Sequence, residues 1–210
     1  MKLSLITMQG VYNYGSALQT YASQKILTEL GCEVEIIDYY PNRMRNYGSL
    51  KQLYTDAKPF HKNRWKCMVI GICKYPSMIK LKKVFEPFAE KYFNKTRVYN
   101  SNIELCSNPP VADVYCTGSD QVWNDYLEGT FDKSYFLNFV PNQTHKIAFS
   151  ASFGRDDLRH EELAPVRNLL EQYNAISVRE ESGKKILKNN IICLIPHISP
   201  IMFRSKIYCS

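Results

Sequence analysis

Leu3-Ser-Leu-Ile-Thr-Met8, then Ser16-Ala-Leu-Gln-Thr-Tyr-Ala-Ser-Gln-Lys-Ile-Leu-Thr-Glu-Leu30, then Val34-Glu-Ile-Ile-Asp-Tyr39: the reading of these three segments decides the fold. The first and third are short and apolar, as buried strands are, and the second is long enough for about four helical turns. Within it Leu18, Ala22, Ile26 and Leu30 recur every four residues, with Tyr21 and Leu27 beside them, which predicts one apolar stripe. Gly31 ends the helix as a left-handed cap would. Residues 3–39 thus predict a compact β-α-β unit.

The alternation continues outward from that unit. Residues 41–75, punctuated by Pro41, Gly48 and Pro59, predict an irregular insertion of short helices. Pro76 to Asn94 is helical in pattern, with Pro87 expected to kink or divide it. Asp113–Thr117, Lys146–Phe153 and Ala175–Val178 read as strands, and Glu161–Tyr173 and Glu180–Lys188 as helices. Strands and helices in turn predict an α/β fold whose parallel sheet is flanked by helices.

Composition sets limits on class. With 210 residues, 45% apolar and 22% charged, the chain can bury a full core without metal or disulfide staples. Its cysteines stand at 32, 67, 73, 106, 116, 193 and 209, an odd number without a Cys-x-x-Cys pair, which fits a reducing compartment and no metal site. The N-terminus lacks the pattern of a signal peptide. The longest apolar run, Cys67 to Cys73, is far below the roughly 20 residues a membrane-crossing helix needs. Lys and Arg exceed Asp and Glu by 27 to 20, which favours anionic partners without saying which. The four histidines show no metal-ligand or triad spacing.

In a parallel sheet the loops after the strands share one edge, where ligands bind. That rule gathers residues 13–16, 118–124, 152–155 and 179–181. Asn13, Gly15 and Ser16 open a helix whose N-terminus attracts anions; equally, Gly15 serves the turn and Ser16 caps the helix. Ser119, Asp120, Gln121, Trp123 and Asn124 bring a hydroxyl, a carboxylate, amides and an indole to the edge. Asp120 could exchange a proton with a sugar hydroxyl or cap a following helix; Trp123 could floor a sugar ring or fill the core. Arg179 offers a planar fork for phosphate or carboxylate, against a salt bridge to Glu180 or Glu181. Ser152 and Gly154 sit in a small-residue run that lets a helix or a ligand approach the backbone.

Six stretches taken together carry a resemblance: Asn13-Tyr-Gly-Ser-Ala-Leu-Gln19, Val34–Tyr39, Thr117-Gly-Ser-Asp-Gln-Val-Trp-Asn124, Tyr135-Phe-Leu-Asn-Phe139, Ile147-Ala-Phe-Ser-Ala-Ser-Phe-Gly154 and Ile176-Ser-Val-Arg-Glu-Glu-Ser182. In this order they resemble the polysaccharide pyruvyl transferase family over roughly residues 1–190. The resemblance implies a bacterial cytoplasmic enzyme with two Rossmann-like halves in a glycosyltransferase-B-like arrangement, of which residues 1–190 are the N-terminal half. It implies transfer of the pyruvyl group of phosphoenolpyruvate to a sugar of an exopolysaccharide, capsule or cell-wall polymer, or its lipid-linked precursor, as a ketal. No cofactor beyond this donor is implied, nor any nucleic acid, and a membrane-bound acceptor would be met peripherally. Asp120 would handle the acceptor hydroxyl and Arg179 the anionic donor. Asn13, Gly15, Ser16, Ser119, Gln121, Trp123, Asn124, Ser152 and Gly154 would line the cleft.

Residues 191–210 depart from the pattern: no Asp-Pro pair appears and the last 20 residues hold no acid. They read as an atypical tail, out of frame or truncated. Two other functions compete: a glycosyltransferase of the same architecture using a nucleotide-sugar, and a basic module binding nucleic acid or an anionic polymer.

Overall fold

Every strand of the sheet runs in the same direction. The computed structural model describes residues 1–41, 64–124, 131–141, 143–190 and 198–200. In chain order the elements are β1 (Lys2–Ile6), α1 (Tyr14–Glu29), β2 (Glu33–Tyr39), α2 (Arg64–Tyr92), β3 (Lys95–Tyr99), α3 (Asn102–Ser107) and β4 (Val114–Asp120). A short 3-10 turn (Lys133–Phe136), β5 (His145–Ala151), α4 (His160–Leu170), β6 (Ala175–Val178), α5 (Glu181–Asn190) and β7 (Ile198–Pro200) follow. The sheet order is β3-β2-β1-β4-β5-β6-β7, with each neighbouring pair parallel. This is the α/β, Rossmann-like arrangement expected from the alternation of elements.

The order also fixes where a ligand belongs. The chain travels outward from β1 to β2 and β3, then returns to lay β4 on the other side of β1. Loops leaving β1 and β4 therefore diverge to opposite faces, and a crevice opens between them at the strand ends.

Alternate residues of each central strand feed two apolar layers. Leu3, Leu5, Val34, Ile36 and Cys116 pack with Leu27 of α1 and Phe93 on one face. Ile37, Tyr39 and Tyr115 pack with Leu105 of α3, Val166 and Leu170 of α4, and Ile186 and Leu187 of α5 on the other. Each such fully buried aliphatic side chain contributes about 1.5–3 kcal/mol of transfer free energy.

Three sequence expectations are corrected here. The apolar stripe of α1 divides: Leu27 is buried and Tyr21 packs against the core, but Leu18 is 58% exposed, and Ile26 and Leu30 are exposed as well. The buried face is Ala17, Thr20, Ser23 and Leu27. Small side chains let the helix lie close on the sheet, and their hydroxyls are satisfied locally. Thr20 donates to the Ser16 carbonyl at 2.8 Å, and Ser23 accepts from Gln19 at 3.3 Å. Second, Pro87 does not divide the helix in two: α2 runs from Arg64 to Tyr92 with Pro76 and Pro87 inside it. Each proline removes one backbone donor, and the carbonyls that lose it belong to Ile72 and Lys83, both exposed residues that water can reach. Third, residues 64–75, expected in an insertion of short helices, belong to α2; residues 42–63 of that insertion lie outside the described residues. Strand β3 and helix α3 also stand where the sequence reading placed no element.

Candidate functional site

The loops after β1, β4, β5 and β6 meet at the strand-end edge. Asn13 is the N-cap of α1, its Oδ1 accepting from the Gly15 amide at 2.7 Å. That leaves Ser16, expected as an alternative cap, free for another task. Its hydroxyl donates to Asp120 Oδ2 at 2.8 Å, while Asp120 Oδ1 accepts from the Gln121 amide at 2.8 Å. Asp120 thus ends β4 and opens the turn at residues 121–124, with its side chain still 18% exposed.

Strand β5 bulges where it passes this corner. Its register against β6 shifts between Ala148 and Ala151, and Ser150 takes a left-handed φ of 55°. Across the ladder in β4, Ser119 also has a positive φ, 35°. Non-glycine residues adopt such values at a cost of order 1–3 kcal/mol, and they cluster where a chain must present groups in a set direction. Here the bends bring the Ser152 amide to the Asp120 carbonyl and the Trp123 amide to the Ser152 carbonyl, each at 3.1 Å.

Arg179 leaves the end of β6, its amide bonded to the Ala151 carbonyl at 3.0 Å. Its guanidinium is 41% exposed, with Nη1 3.9 Å from Asp120 Oδ1 and Nη2 3.0 Å from Glu180 Oε1. The salt-bridge reading of Arg179 is realised in its pair with Glu180, and the same guanidinium faces Asp120 on the open rim.

Glu180, expected only as an ion-pair partner of Arg179, has a second bond the sequence reading missed. Ser152 Oγ donates to Glu180 Oε1 at 2.5 Å and accepts from Arg179 Nη2 at 3.4 Å and from the Gly154 amide at 2.9 Å. Glu180 is thus the clasp that ties Arg179 to the β5 corner, while its Oε2, shielded from solvent, meets no donor. The only signal in the sequence is its adjacency to Arg179.

The remaining candidates divide. Gln121 and Asn124 crowd Gly154, whose φ is +65°; a Cβ there would stand 2.6 Å from Asn124 Nδ2 and 2.8 Å from Gln121 Cδ. Ser152 is wholly buried, so it acts on the rim through Glu180 and Arg179 rather than by touching a ligand. Trp123 is corrected outright. It is 0% exposed, stacked on Phe136 at 5.6 Å, packed by Phe153 and Tyr173, and its indole N–H donates to the Tyr135 carbonyl at 3.2 Å. It builds the core under the rim and offers no floor to a sugar.

Cys116 and Tyr39, both buried, are held protonated. Burial, the largest cause, pushes the Cys116 thiol up to about 12, so it is protonated at neutral pH. Burial and then the Asp132 charge raise the Tyr39 phenol. No helix among the described residues is long and apolar enough to cross a membrane.

No curated protein and no solved structure matches the chain. A protein-family profile does, over residues 13–200, a span that takes in Ser16, Asp120, Ser152 and Arg179 and continues through β7. With residues 13–200 of the chain matched, the protein belongs to the polysaccharide pyruvyl transferase family, a family of transferase enzymes.

Proposed function

We propose that the chain transfers the pyruvyl group of phosphoenolpyruvate to two hydroxyls of a sugar, forming a ketal. The observation that carries the reading is the approach of Asp120 and Arg179 at the ends of β4 and β6 in a chain of this family. Arg179 grips the phosphate or carboxylate of the donor with its planar fork, held in direction by Glu180 and Ser152. Asp120, accepting from Ser16, takes the proton of the attacking hydroxyl. Asn13, Gly15 and Ser16 line the adjoining wall, with Ser119, Gln121, Asn124 and Gly154 around the corner.

The balance is simple. The donor methylene gains one proton and becomes a methyl group. Two sugar oxygens bond to the central carbon, each losing its proton, and the carbon–oxygen bond to phosphate breaks. One of the two protons is accounted for by the new methyl group and the other leaves with inorganic phosphate. The chain needs no cofactor for this beyond the donor.

The same proposal takes residues 1–190 as one Rossmann-like, donor-gripping unit. It also takes a cytoplasmic location and a polysaccharide or lipid-linked acceptor met at the membrane surface, without nucleic acid. The excess of 27 basic over 20 acidic residues supports contact with an anionic surface.

The test is a thermal-shift titration paired with a turnover assay. Phosphoenolpyruvate should raise the melting temperature, since a ligand stabilises the state that binds it, and nucleotide-sugars should not. Incubation with donor and bacterial oligosaccharides should release phosphate and yield a ketal methyl singlet by proton NMR. Stabilisation by a nucleotide-sugar alone would assign a glycosyltransferase instead. Binding only to polyanions, with affinity falling steeply in salt, would assign a binding module.

A further inference from the structure

A second recess lies on the other side of α1's first turn. The segment after β1 (Gln9 to Tyr12), Tyr40 after β2, and Phe85, Glu86 and Glu90 of α2 wall a crevice of about 150 Å³. That is too small for a drug-sized ligand, whose pockets run to roughly 300–1,000 Å³, and suits one compact ring.

Its chemistry is unlike that of the Arg179 rim. Gln9 is only 7% exposed. Its Nε2 donates to the Tyr39 carbonyl at 3.1 Å and to Asp38 Oδ1 at 3.4 Å, which fixes the amide's orientation and leaves Oε1 without a donor. Glu86 accepts from the Tyr12 hydroxyl at 2.8 Å, and Glu90 adds a second carboxylate to the wall. Lys95, the cation on the lining, is already paired with Asp38 at 3.1 Å. Burial, then Asp38 and Glu86, keep the Tyr40 phenol protonated.

A surface of this kind repels a phosphorylated, carboxylated donor. It favours a neutral ligand that brings many hydroxyl donors to carboxylate and amide oxygens. Tyr12, with Phe85 parallel behind it at 6.1 Å, adds an aromatic wall for the apolar face of a ring.

Position completes the case. Ala17 lines the crevice, and the residue before it, Ser16, is the partner of Asp120. We propose that this crevice is an acceptor subsite that seats a neutral hexopyranosyl unit, linked to Asp120 through the neighbouring Ala17 and Ser16 of α1. The inference rests on the pyruvyl-transfer reading for its role in the reaction, and on the crevice alone for the sugar.

The test is NMR of the full 210-residue chain, labelled with nitrogen-15 and titrated separately with methyl glucopyranoside, galactopyranoside and mannopyranoside. At least one should shift the Gln9 side-chain amide and the backbone amides of residues 10–12 and 85–86. Gln9→Met and, as a surface change that leaves the fold intact, Tyr12→Phe should each weaken that binding fivefold or more. Phosphoenolpyruvate binding, read at the Arg179 side chain, should stay within twofold. The proposal is overturned if no glycoside shifts these signals, if the shifts gather elsewhere, or if both variants bind sugar as the parent does. Glycoside shifts at the crevice without phosphoenolpyruvate binding at Arg179 would uphold the sugar site and sink the pyruvyl-transfer reading instead.

Discussion

Ser16 and Asp120, 104 residues apart in the chain, are joined by a 2.8 Å hydrogen bond that spans the seam between the β1 and β4 loops. The bond fixes the carboxylate at the place where the two wings of the sheet part. Replacing Asp120 by Asn keeps the shape and removes the base. Turnover should fall about 10²–10⁴-fold, the usual worth of a positioned proton acceptor. Ser16→Ala should cost about tenfold, as expected for one hydrogen bond to a charged group. Phosphate release assays on both variants, with melting temperatures near the parent's, check the ranking.

Arg179→Lys retains the charge but not the fork. Lysine has no planar fork to hold Glu180 and a donor oxyanion in fixed directions, so phosphoenolpyruvate affinity should drop about tenfold or more, read by calorimetry. An unchanged dissociation constant would mean that the donor is gripped elsewhere.

The outward stripe of α1 makes an unequal pair of predictions. Leu27→Ala, on the buried face, should destabilise the protein by about 2–5 kcal/mol in urea unfolding. Leu18→Glu, at a side chain 58% exposed, should stay within about 0.5 kcal/mol. The opposite ranking would restore the face that the periodicity suggested.

That face shows where the sequence was legible and where it was not. Strands β1, β2, β4, β5 and β6 announce themselves because both faces of each are covered, so their apolar runs are nearly continuous. β3 is an edge strand with Arg97 and Val98 in water, and Lys95-Thr-Arg-Val-Tyr99 carries no such run. In α1 two faces were available; hydrophobicity picked Leu18, Ile26 and Leu30, whereas close approach to the sheet selected Ala17, Thr20 and Ser23. The meeting of Asp120 with Arg179 follows from the strand-end rule alone. The clasp by Glu180 does not, because it depends on the bulge that turns Ser152 toward it. Trp123 carried a core reading beside the sugar-floor one, and its packing against Phe136, Phe153 and Tyr173 bears out the core.

Glu162 supplies a pH-dependent term. Burial by itself would raise its carboxyl, but hydrogen bonds from Arg159 and Arg155, at 2.6 and 2.8 Å, hold it below the ordinary value of 4.5. A depressed folded-state value means the stabilisation is fully present above about 4.5 and is lost as pH falls through the folded value. Glu162→Gln should therefore lower stability by about 1–3 kcal/mol at pH 7, and the gap to the parent should narrow as pH is lowered below 4.5. Chemical unfolding across that range reads it.

Gly118 lies where β4 passes closest to β5. A Cβ there would stand 2.4 Å from the Phe149 carbonyl oxygen, which is backbone and cannot swing aside. Gly118→Ala should cost about 1–3 kcal/mol or more and disturb the pairing that carries Ser119 and Asp120. A melting temperature equal to the parent's would show that the ladder yields there.

The order in which the chain lays down its parallel strands reverses at the β1–β4 seam, and this divides labour between the two wings of the sheet. The β2 side holds the crevice and the β6 side holds Arg179, with Ser16 and Asp120 as the hinge-pin between them. Under the reading proposed, mutation on one wing can retune which carbohydrate is modified while the other keeps its hold on the same small acid. Acceptor choice and donor chemistry then diverge independently within one architecture.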